Sequence, residues 1–323
     1  MYFIILKGKL ITIENEEICN MKITEEREMK KIWINKKYII KLAGKWTTII
    51  FSFLGFIGTF VSLSDLIPES WSLQYKILVS IVILIGIWGS SSVVCAIWFY
   101  NKKKIQIFEA NNNCHVYVQY GDIFSEDEIN NPKERRNIVI PVNRCFDTIV
   151  DNDLVSEKTL HGIVLKKLYS ENLFDEETLN AALQKDLKER QKKNPNTITI
   201  GDKRKGNLQR YEVGDIAEIS ESNKSVYFFL ALSTFDYNLS AKTTQEEYVL
   251  AMQRLIEYCY TRSQEFPVVM PLIGAGLSRT KNDERSILEF IVKLLKMNKN
   301  LIISDIHIIV RDSGKETIPI TEL

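Results

Sequence analysis

The stretch Ile77–Tyr100 reads ILVSIVILIGIWGSSSVVCAIWFY and contains no charged residue. A second uncharged stretch, Trp46–Ser64, precedes it and reads WTTIIFSFLGFIGTFVSLS. As helices the two stretches would be roughly 36 Å and 28 Å long, and the core of a bilayer is about 30 Å thick. Helices in the core of a soluble protein rarely run this far without a charge. The sequence therefore predicts two transmembrane helices within residues 46–100.

Lysines flank these two stretches on the side of both chain ends. The connection Asp65–Lys76 is short and contains Pro68, so the two helices are expected to form an antiparallel hairpin. By the positive-inside rule, the flanking lysines place both termini in the cytoplasm. The flanking lysines are Lys36, Lys37, Lys41, Lys45, Lys102, Lys103 and Lys104.

Small residues recur on one face of each predicted helix, for example Ser52 with Gly55 and Gly86 with Ser90. Small side chains allow helix backbones to approach closely in lipid. These faces fit either contact within the hairpin or contact between protomers, and the sequence does not decide between the two. Neither stretch has an ionisable side chain, so an ion pathway built on buried charges is not supported.

The overall composition describes an ordinary globular chain. Of its 323 residues 45% are hydrophobic and 26% are charged, and the formal net charge is +1. Proteins that bind nucleic acid through their overall charge usually have a strong basic excess, so no nucleic-acid partner is expected. The five cysteines include no CxxC pair, and with the three histidines they form no metal-ligand spacing. Isolated cysteines suit a reducing cytoplasm, and we expect no metal and no cofactor.

The chain outside the hairpin divides by pattern. Residues 1–45 form an N-terminal arm, which could couple or assemble protomers but is more typical of a solvated tether. Residues 101–112 read as a linker, and residues 113–323 alternate predicted strands with helices, as in an α/β domain with a sheet covered on both faces. The predicted strands are 114–120, 137–142, 197–200, 226–234, 267–271 and 302–310. The predicted helices are 159–169, 176–192, 244–261 and 284–297.

Three turns that follow predicted strands are candidates for ligand binding, because ligands of such sheets bind beyond the strand ends. The first contains Asp122 and Ile123, and Asp122 offers an acceptor to an amine. The second begins at Asn143, which either caps the turn or binds a ribose hydroxyl. The third is Gly274, Ala275, Gly276, Leu277 and Ser278, where glycines and successive amides suit a diphosphate. Each turn alone is also a common structural feature.

An aromatic side chain and a helix start are further candidates for ligand binding. Phe146 or Phe235 has a ring that is able to stack on a base, although Phe235 is more typical of the core. His161 and Gly162 begin a predicted helix, so their amides would face a phosphate, or His161 would simply cap the helix. A Ser-His-Asp triad is not indicated, since nothing in the sequence orders Ser278, His161 and Asp147.

The order of the three turns resembles the macro domain, an α/β three-layer sandwich that binds ADP-ribose. The resemblance covers roughly residues 113–312 and implies that Asp122 binds the adenine amine and that residues 274–278 hold the diphosphate. The usual N-A-A-N and glycine-triplet loop is replaced by Asn143-Arg144-Cys145-Phe146-Asp147-Thr148, followed by Leu160-His161-Gly162. These elements look like the divergent macro domains attached to two-helix hairpins in Thoeris anti-phage systems.

Resemblance to those membrane effectors implies a function. A TIR-domain partner consumes NAD and makes an ADP-ribose-derived signal similar to histidine-linked ADP-ribose. The macro domain binds the signal, the effector forms a homo-oligomer, and its hairpins disrupt the bacterial inner membrane, ending in abortive infection. No enzymatic activity is expected. One alternative is a membrane-tethered ADP-ribosyl hydrolase, which the missing glycine-rich first loop makes less favoured, and another is a scaffold without a ligand.

Overall fold

The structure is a computed structural model that describes residues 2–6, 9–13, 15–58, 70–132, 134–221, 224–274, 283–321 and 323. The chain divides into two compact units. The first, which we call the helical unit, contains Met1–Lys103 and Ser313–Glu322. The second, which we call the sheet unit, contains Lys104–Asp312 and Leu323.

Three helices make up most of the helical unit: α1 (Asn15–Ile34), α2 (Lys36–Gly58) and α3 (Leu73–Tyr100). Two segments, Lys36–Ile57 and Leu73–Tyr100, are long and apolar enough to cross a membrane. Their large apolar side chains are mostly exposed, as they would be against lipid. The end of the first predicted stretch and the first five residues of the connection, together residues 59–69, lie outside the described residues.

The N-terminal arm is more structured than a solvated tether. Strand β1 (Tyr2–Leu6) pairs antiparallel with β2 (Lys9–Ile13). Two polar residues of the arm, Lys31 and Asn35, are buried. The ammonium of Lys31 donates to the carbonyl of Tyr100 at 2.7 Å, which explains why a charged residue is tolerated there.

The sheet unit is built on one mixed sheet. Eight strands of the described chain form it, in the order β10-β9-β5-β11-β12-β4-β3, with β8 also paired to β9. The five neighbours from β9 to β4 are parallel, so their carboxyl ends share one edge. The strands are β3 (Lys104–Glu109), β4 (His115–Tyr120), β5 (Arg136–Asn143), β8 (Ile216–Ser220), β9 (Ser225–Phe235), β10 (Ala241–Lys242), β11 (Val268–Pro271) and β12 (Ile306–Val310), while β6 (Asn196–Thr197) and β7 (Gln209–Arg210) pair separately.

Helices cover both faces of the sheet, which gives the predicted three-layer α/β arrangement. On one face, Ile140 of β5 and Phe229 of β9 belong to a core cluster with Leu165 and Leu183, which come from the first two helices of the sheet unit. On the other face, Phe228 packs edge-on against Tyr258 with ring centroids 5.4 Å apart. The helices are α4 (Leu160–Ser170), α5 (Glu176–Lys185), α6 (Gln245–Arg262) and α7 (Glu284–Met297).

Several boundaries differ from the sequence predictions. Strand β3 lies inside the expected linker 101–112, where it pairs with β4. Its side chain Ile105, which follows a run of lysines, is buried in the core. The expected strand at 197–200 is reduced to Asn196–Thr197, since its residues are largely exposed. Strand β8 was not predicted, because its five residues are too few and too mixed to show a period.

Candidate functional site

The parallel strands bring the predicted turns to one edge of the sheet. Strand β12 lies between β4 and β11. The N–H of Gly121 donates to the Val310 carbonyl at 3.0 Å, and the N–H of Leu272 donates to the Ile309 carbonyl at 3.2 Å. Because neighbouring strands lie about 4.8 Å apart, the turns after β4 and β11 are roughly 10 Å apart. Asn143, at the end of β5, is one strand further along.

The turn after β4 presents the carboxylate of Asp122 to solvent. Asp122 Oδ1 accepts from the Phe124 N–H at 3.1 Å, and its carbonyl accepts from the Ser125 N–H at 3.0 Å. Ile123 is buried, and its side chain belongs to the core. Only the backbone of Ile123 is therefore available for a ligand, whereas the carboxylate of Asp122 is accessible and held in a defined turn.

Asn143 takes the capping role that its sequence position allowed, and its amide nitrogen is left over. Its Oδ1 accepts from the Cys145 N–H at 2.9 Å, which caps the turn after β5. Its Nδ2 is close enough to the Asp147 carboxylate to lower the pKa of that group from the value burial alone would give. However, Nδ2 is buried, and no acceptor in the described residues meets the distance and angle of a hydrogen bond to it. A buried donor of this kind is costly unless a ligand or water completes it.

The glycine-rich turn begins in a defined conformation. Gly274 has φ +94°, a region that a side chain would disfavour. The preceding carbonyl, that of Ile273, accepts from the buried hydroxyl of Tyr248 on α6 at 2.9 Å. The hydrogen bond from Tyr248 thus holds the residue immediately before Gly274 in place. The remaining predicted positions, Ala275, Gly276, Leu277 and Ser278, lie outside the described residues.

His161 and Gly162 serve the start of helix α4. Thr159 is the capping residue, and its Oγ1 accepts from the Gly162 N–H at 3.1 Å. A side chain at Gly162 would collide with the backbone carbonyl of Ser156. His161 is buried, and burial lowers its pKa to about 3, so its ring is neutral. The Gly162 amide is therefore already used within the helix, contrary to the expectation that it would face a phosphate.

Phe146 is placed in the core by the structure. Its ring is buried and packs edge-on against Tyr211, with centroids 5.5 Å apart. Stacking on a base would require the ring to leave this contact. Phe235, the alternative, is only partly buried and packs at the margin of the same core cluster.

A buried ion pair beneath the second turn was missed by sequence reasoning. Lys203 Nζ lies 2.6 Å from Asp147 Oδ2, and the Asn207 N–H donates to Asp147 Oδ1 at 2.6 Å. The amide of Asn207 also donates to the carbonyls of Cys145 and Phe146. These contacts clamp residues 203–207 against the Asn143 turn. Lys203 lies in a lysine-rich stretch, GDKRKGN, and its spacing from Asp147 gave no signal of contact.

The described residues show no group of three or more His, Cys, Asp or Glu side chains that could hold a metal ion. At the carboxyl edge the three predicted turns contribute an exposed carboxylate, a buried amide and a positive-φ glycine. Acceptors at one end and backbone or amide donors at the other suit an amine-bearing, anionic ligand such as a nucleotide.

Comparison with known proteins identifies a family. The family model described as "Thoeris protein ThsA, Macro domain" matches residues 116–311, more than half of the chain. A curated relative, the Thoeris protein ThsA of Bacillus amyloliquefaciens (strain Y2), is 26% identical over 236 residues, which cover 73% of this chain and 71% of the relative.

Two solved structures are also similar. A macrodomain mutant from Oceanobacillus iheyensis is 12% identical, with a TM-score of 0.39, over 66% of this chain and 87% of that chain. A crystal structure of a protein from Bacteroides thetaiotaomicron is 13% identical, with a TM-score of 0.34, over 59% of this chain and 96% of that chain. At such scores they add no detail about the site.

Proposed function

The chain belongs to the Thoeris ThsA macro-domain family and is an anti-phage defence protein, and from this premise we propose that it is a membrane-anchored sensor and effector. Its macro domain, within residues 113–323, binds an ADP-ribose-derived signal similar to histidine-linked ADP-ribose. A TIR-domain partner makes that signal from NAD. Binding drives homo-oligomerisation, and the hairpin within residues 46–100 then disrupts the inner membrane, leading to abortive infection.

The observation that carries this proposal is the convergence of three unlike turns on one edge of the sheet. Asp122 supplies an accessible acceptor for the adenine amine, and Asn143 supplies an amide donor that the described residues do not use. The diphosphate would bind to the turn that starts at Gly274 and continues through Ala275, Gly276, Leu277 and Ser278. A site with acceptors at one end and donors at the other matches the polarity of ADP-ribose.

The helical unit supports the membrane part of the proposal. Its two apolar helices are long enough to span a bilayer, and the flanking lysines support a cytoplasmic position for both termini. A Cβ added at Gly55, Gly86 or Gly89 meets nothing within 4 Å in the described chain. These small-residue positions therefore remain open for contact with other protomers. For a signal to drive assembly, it must bind the assembled state more tightly than the resting state.

An ADP-ribosyl hydrolase is the alternative. The turn after β5 has Asn143 but no glycine triplet. His161 is buried, and burial lowers its pKa to about 3, so its ring is a weak base that a surface substrate does not reach. We therefore favour a sensor without catalytic residues, which needs no cofactor.

Calorimetry on the full chain in detergent tests the proposal directly. The wild-type protein should bind ADP-ribose or histidine-linked ADP-ribose, and Asp122→Ala and Gly276→Glu should each weaken binding at least tenfold without a change in melting temperature. Asp127→Ala is the matched control, because it removes an exposed carboxylate from the neighbouring turn. A flat wild-type titration with every derivative would leave only a scaffold, and release of ADP-ribose from a modified protein would favour the hydrolase.

Deleting residues 46–100 separates sensing from the effect on the membrane. The shortened chain should still bind the signal but should no longer arrest growth of infected cells. Toxicity of that soluble variant would contradict the proposed membrane mechanism.

A further inference from the structure

The carboxylate of Glu128 lies directly against the turn that presents Asp122. Glu128 Oε1 accepts from the Asp122 N–H at 3.0 Å. A side chain at Gly121 would collide with this carboxylate. The glycine of the Gly121-Asp122-Ile123 turn is thus explained by the close approach of Glu128.

Glu128 is itself held by a chain of hydrogen bonds that reaches into the sheet. Gln119 Nε2 donates to the Glu128 carbonyl at 2.9 Å and also to the Glu128 carboxylate. Gln119 Oε1 lies 3.0 Å from His307 Nδ1. Because that oxygen only accepts, His307 must carry its proton on Nδ1. Burial lowers the pKa of His307 to about 3, so the ring stays neutral. The direction of each hydrogen bond from His307 through Gln119 to Glu128 is therefore unchanged.

We infer that Glu128 is a positioning residue that sets base specificity by fixing Asp122. This inference rests on the proposed function. With its backbone N–H already bonded to Glu128, Asp122 meets the base through acceptor groups. Such a turn favours a base with an exocyclic amine and rejects a carbonyl at the same position, since two acceptors facing each other would be left unpaired.

Titration of the full chain with ADP-ribose and with inosine diphosphate ribose tests this inference. Wild type should prefer the adenine ligand, and Glu128→Ala should reduce its affinity about tenfold while changing that for the inosine ligand less than twofold. Glu126→Ala, which removes an exposed carboxylate paired with Lys224, should change neither. Equal losses for both ligands, or no loss, would overturn the inference. A wild-type protein that binds neither ligand would instead overturn the proposed function.

A second inference comes from the residues that follow β12. We call Ser313–Thr321 the C-terminal strap; it belongs to the helical unit. Lys315 Nζ lies 2.7 Å from Glu28 Oε1, and Glu28 Oε2 lies 2.5 Å from Lys31. Thr321 donates to Asn35 Oδ1 at 2.7 Å, and all these side chains are buried.

The same cluster reaches the end of α3. Lys31, which pairs with Glu28, also donates to the Tyr100 carbonyl. Although burial alone would raise it, hydrogen bonds from Lys31 and Lys315 hold the pKa of Glu28 below its usual range. The strap is therefore bonded through one buried charge cluster to both α1 and α3, and removing one partner leaves a buried charge unpaired.

Both connections from the sheet unit to the helical unit leave the sheet at its carboxyl edge. Lys104 at the start of β3 pairs with Gln119, and Val310 at the end of β12 pairs with Tyr120. This is the edge that carries Asp122 and Gly274. The N–H of Gly121 donates to the Val310 carbonyl, so the Asp122 turn is bonded to the strand end from which the C-terminal connection starts.

We propose that the C-terminal strap transmits ligand occupancy from this edge to the transmembrane helices. Lys315→Glu should leave the affinity for the ADP-ribose-derived ligand within twofold of wild type but abolish growth arrest of infected cells. The exchange Glu28→Lys with Lys315→Glu should restore the arrest, because it retains two lysines and one glutamate in the cluster. Lys242→Glu, an exposed control, should have no effect.

Full growth arrest by Lys315→Glu would overturn the role of the strap. So would failure of the exchange variant to respond although it binds ligand normally. A wild-type protein that binds no ligand or arrests no growth would count against the proposed function, not against the strap alone.

Discussion

The ammonium of Lys203 lies 2.6 Å from the carboxylate of Asp147, and both side chains are buried beneath the Asn143 turn. Lys203 also donates to the Asn207 carbonyl at 2.8 Å. The pair joins two segments that are 56 residues apart in the chain. It joins the turn after β5 to residues 203–207.

Lys203→Met should destabilise the protein by about 3–5 kcal/mol, because it leaves the Asp147 carboxylate buried without its cation. Adding Asp147→Asn should recover part of that loss, since the buried charge is then gone. Thermal unfolding of the full chain in detergent measures both. Lys205→Met is the control, because Lys205 makes an exposed ion pair with Asp151. Equal melting temperatures for Lys203→Met and wild type would show that the pair contributes nothing.

The same variant should show a steeper dependence of stability on pH. Burial raises the pKa of Asp147, and Lys203 opposes that rise. When a carboxyl pKa is higher in the folded state, its contribution to stability is present below the unfolded pKa and is lost as pH rises through the folded pKa. Lys203→Met removes the opposing cation, so the variant should lose more stability than wild type as pH rises above about 4, the ordinary pKa of an aspartate. A parallel pH profile would contradict this account.

Asn143→Ser tests the amide donor at the carboxyl edge. A serine hydroxyl retains an acceptor for the Cys145 N–H but lacks the longer amide. Affinity for ADP-ribose should fall about tenfold, the cost of one lost hydrogen bond to a charged or polar ligand group. Calorimetry gives the affinity, and a melting temperature within a few degrees of wild type confirms that the turn is intact. Unchanged affinity would exclude Asn143 from the site.

Periodicity alone located most of the sheet, for reasons that the structure makes clear. Strands β5 and β9 are buried along nearly their whole length, so their apolar runs were visible in the sequence. Strand β3 was hidden, because two lysines precede it, a third begins it, and only Ile105 is fully buried. Short strands with one covered position carry too weak a pattern to separate them from a linker.

The site was only partly predictable. Asp122 and Asn143 could be placed at the strand ends because parallel strands finish on one edge. The contacts of Asp147 with Lys203 and of Glu128 with Asp122 depend on the path of irregular loops. The spacing of apolar residues along the sequence does not predict that path. For Gly162, the start of a helix was predictable but the need for glycine was not, since the colliding group is a backbone carbonyl of an irregular loop.

Gly162→Ala separates a packing role from a role in ligand binding. The added methyl group would meet the Ser156 carbonyl carbon at 2.8 Å and the Glu157 Cα at 2.9 Å, and backbone atoms cannot move aside cheaply. We expect a loss of about 1–3 kcal/mol of stability and an unchanged affinity of the folded fraction for ADP-ribose. Gly201→Ala, whose nearest neighbour would be Thr199 Oγ1 at 3.4 Å, should be neutral. A loss of affinity without a loss of stability would return Gly162 to the ligand site.

Tyr248→Phe tests whether the start of the glycine-rich turn must be held for diphosphate binding. The Tyr248 hydroxyl donates to the Ile273 carbonyl, and burial raises the pKa of Tyr248, so the group remains a donor throughout the physiological range. Its removal costs about 1 kcal/mol and frees the residue before Gly274. Affinity for ADP-ribose should fall three- to tenfold, whereas affinity for adenosine, which lacks the diphosphate, should not change. Tyr260→Phe, at an exposed position on the same helix, is the matched control. Equal losses for ADP-ribose and adenosine would mean that Tyr248 supports the whole domain and not the diphosphate turn.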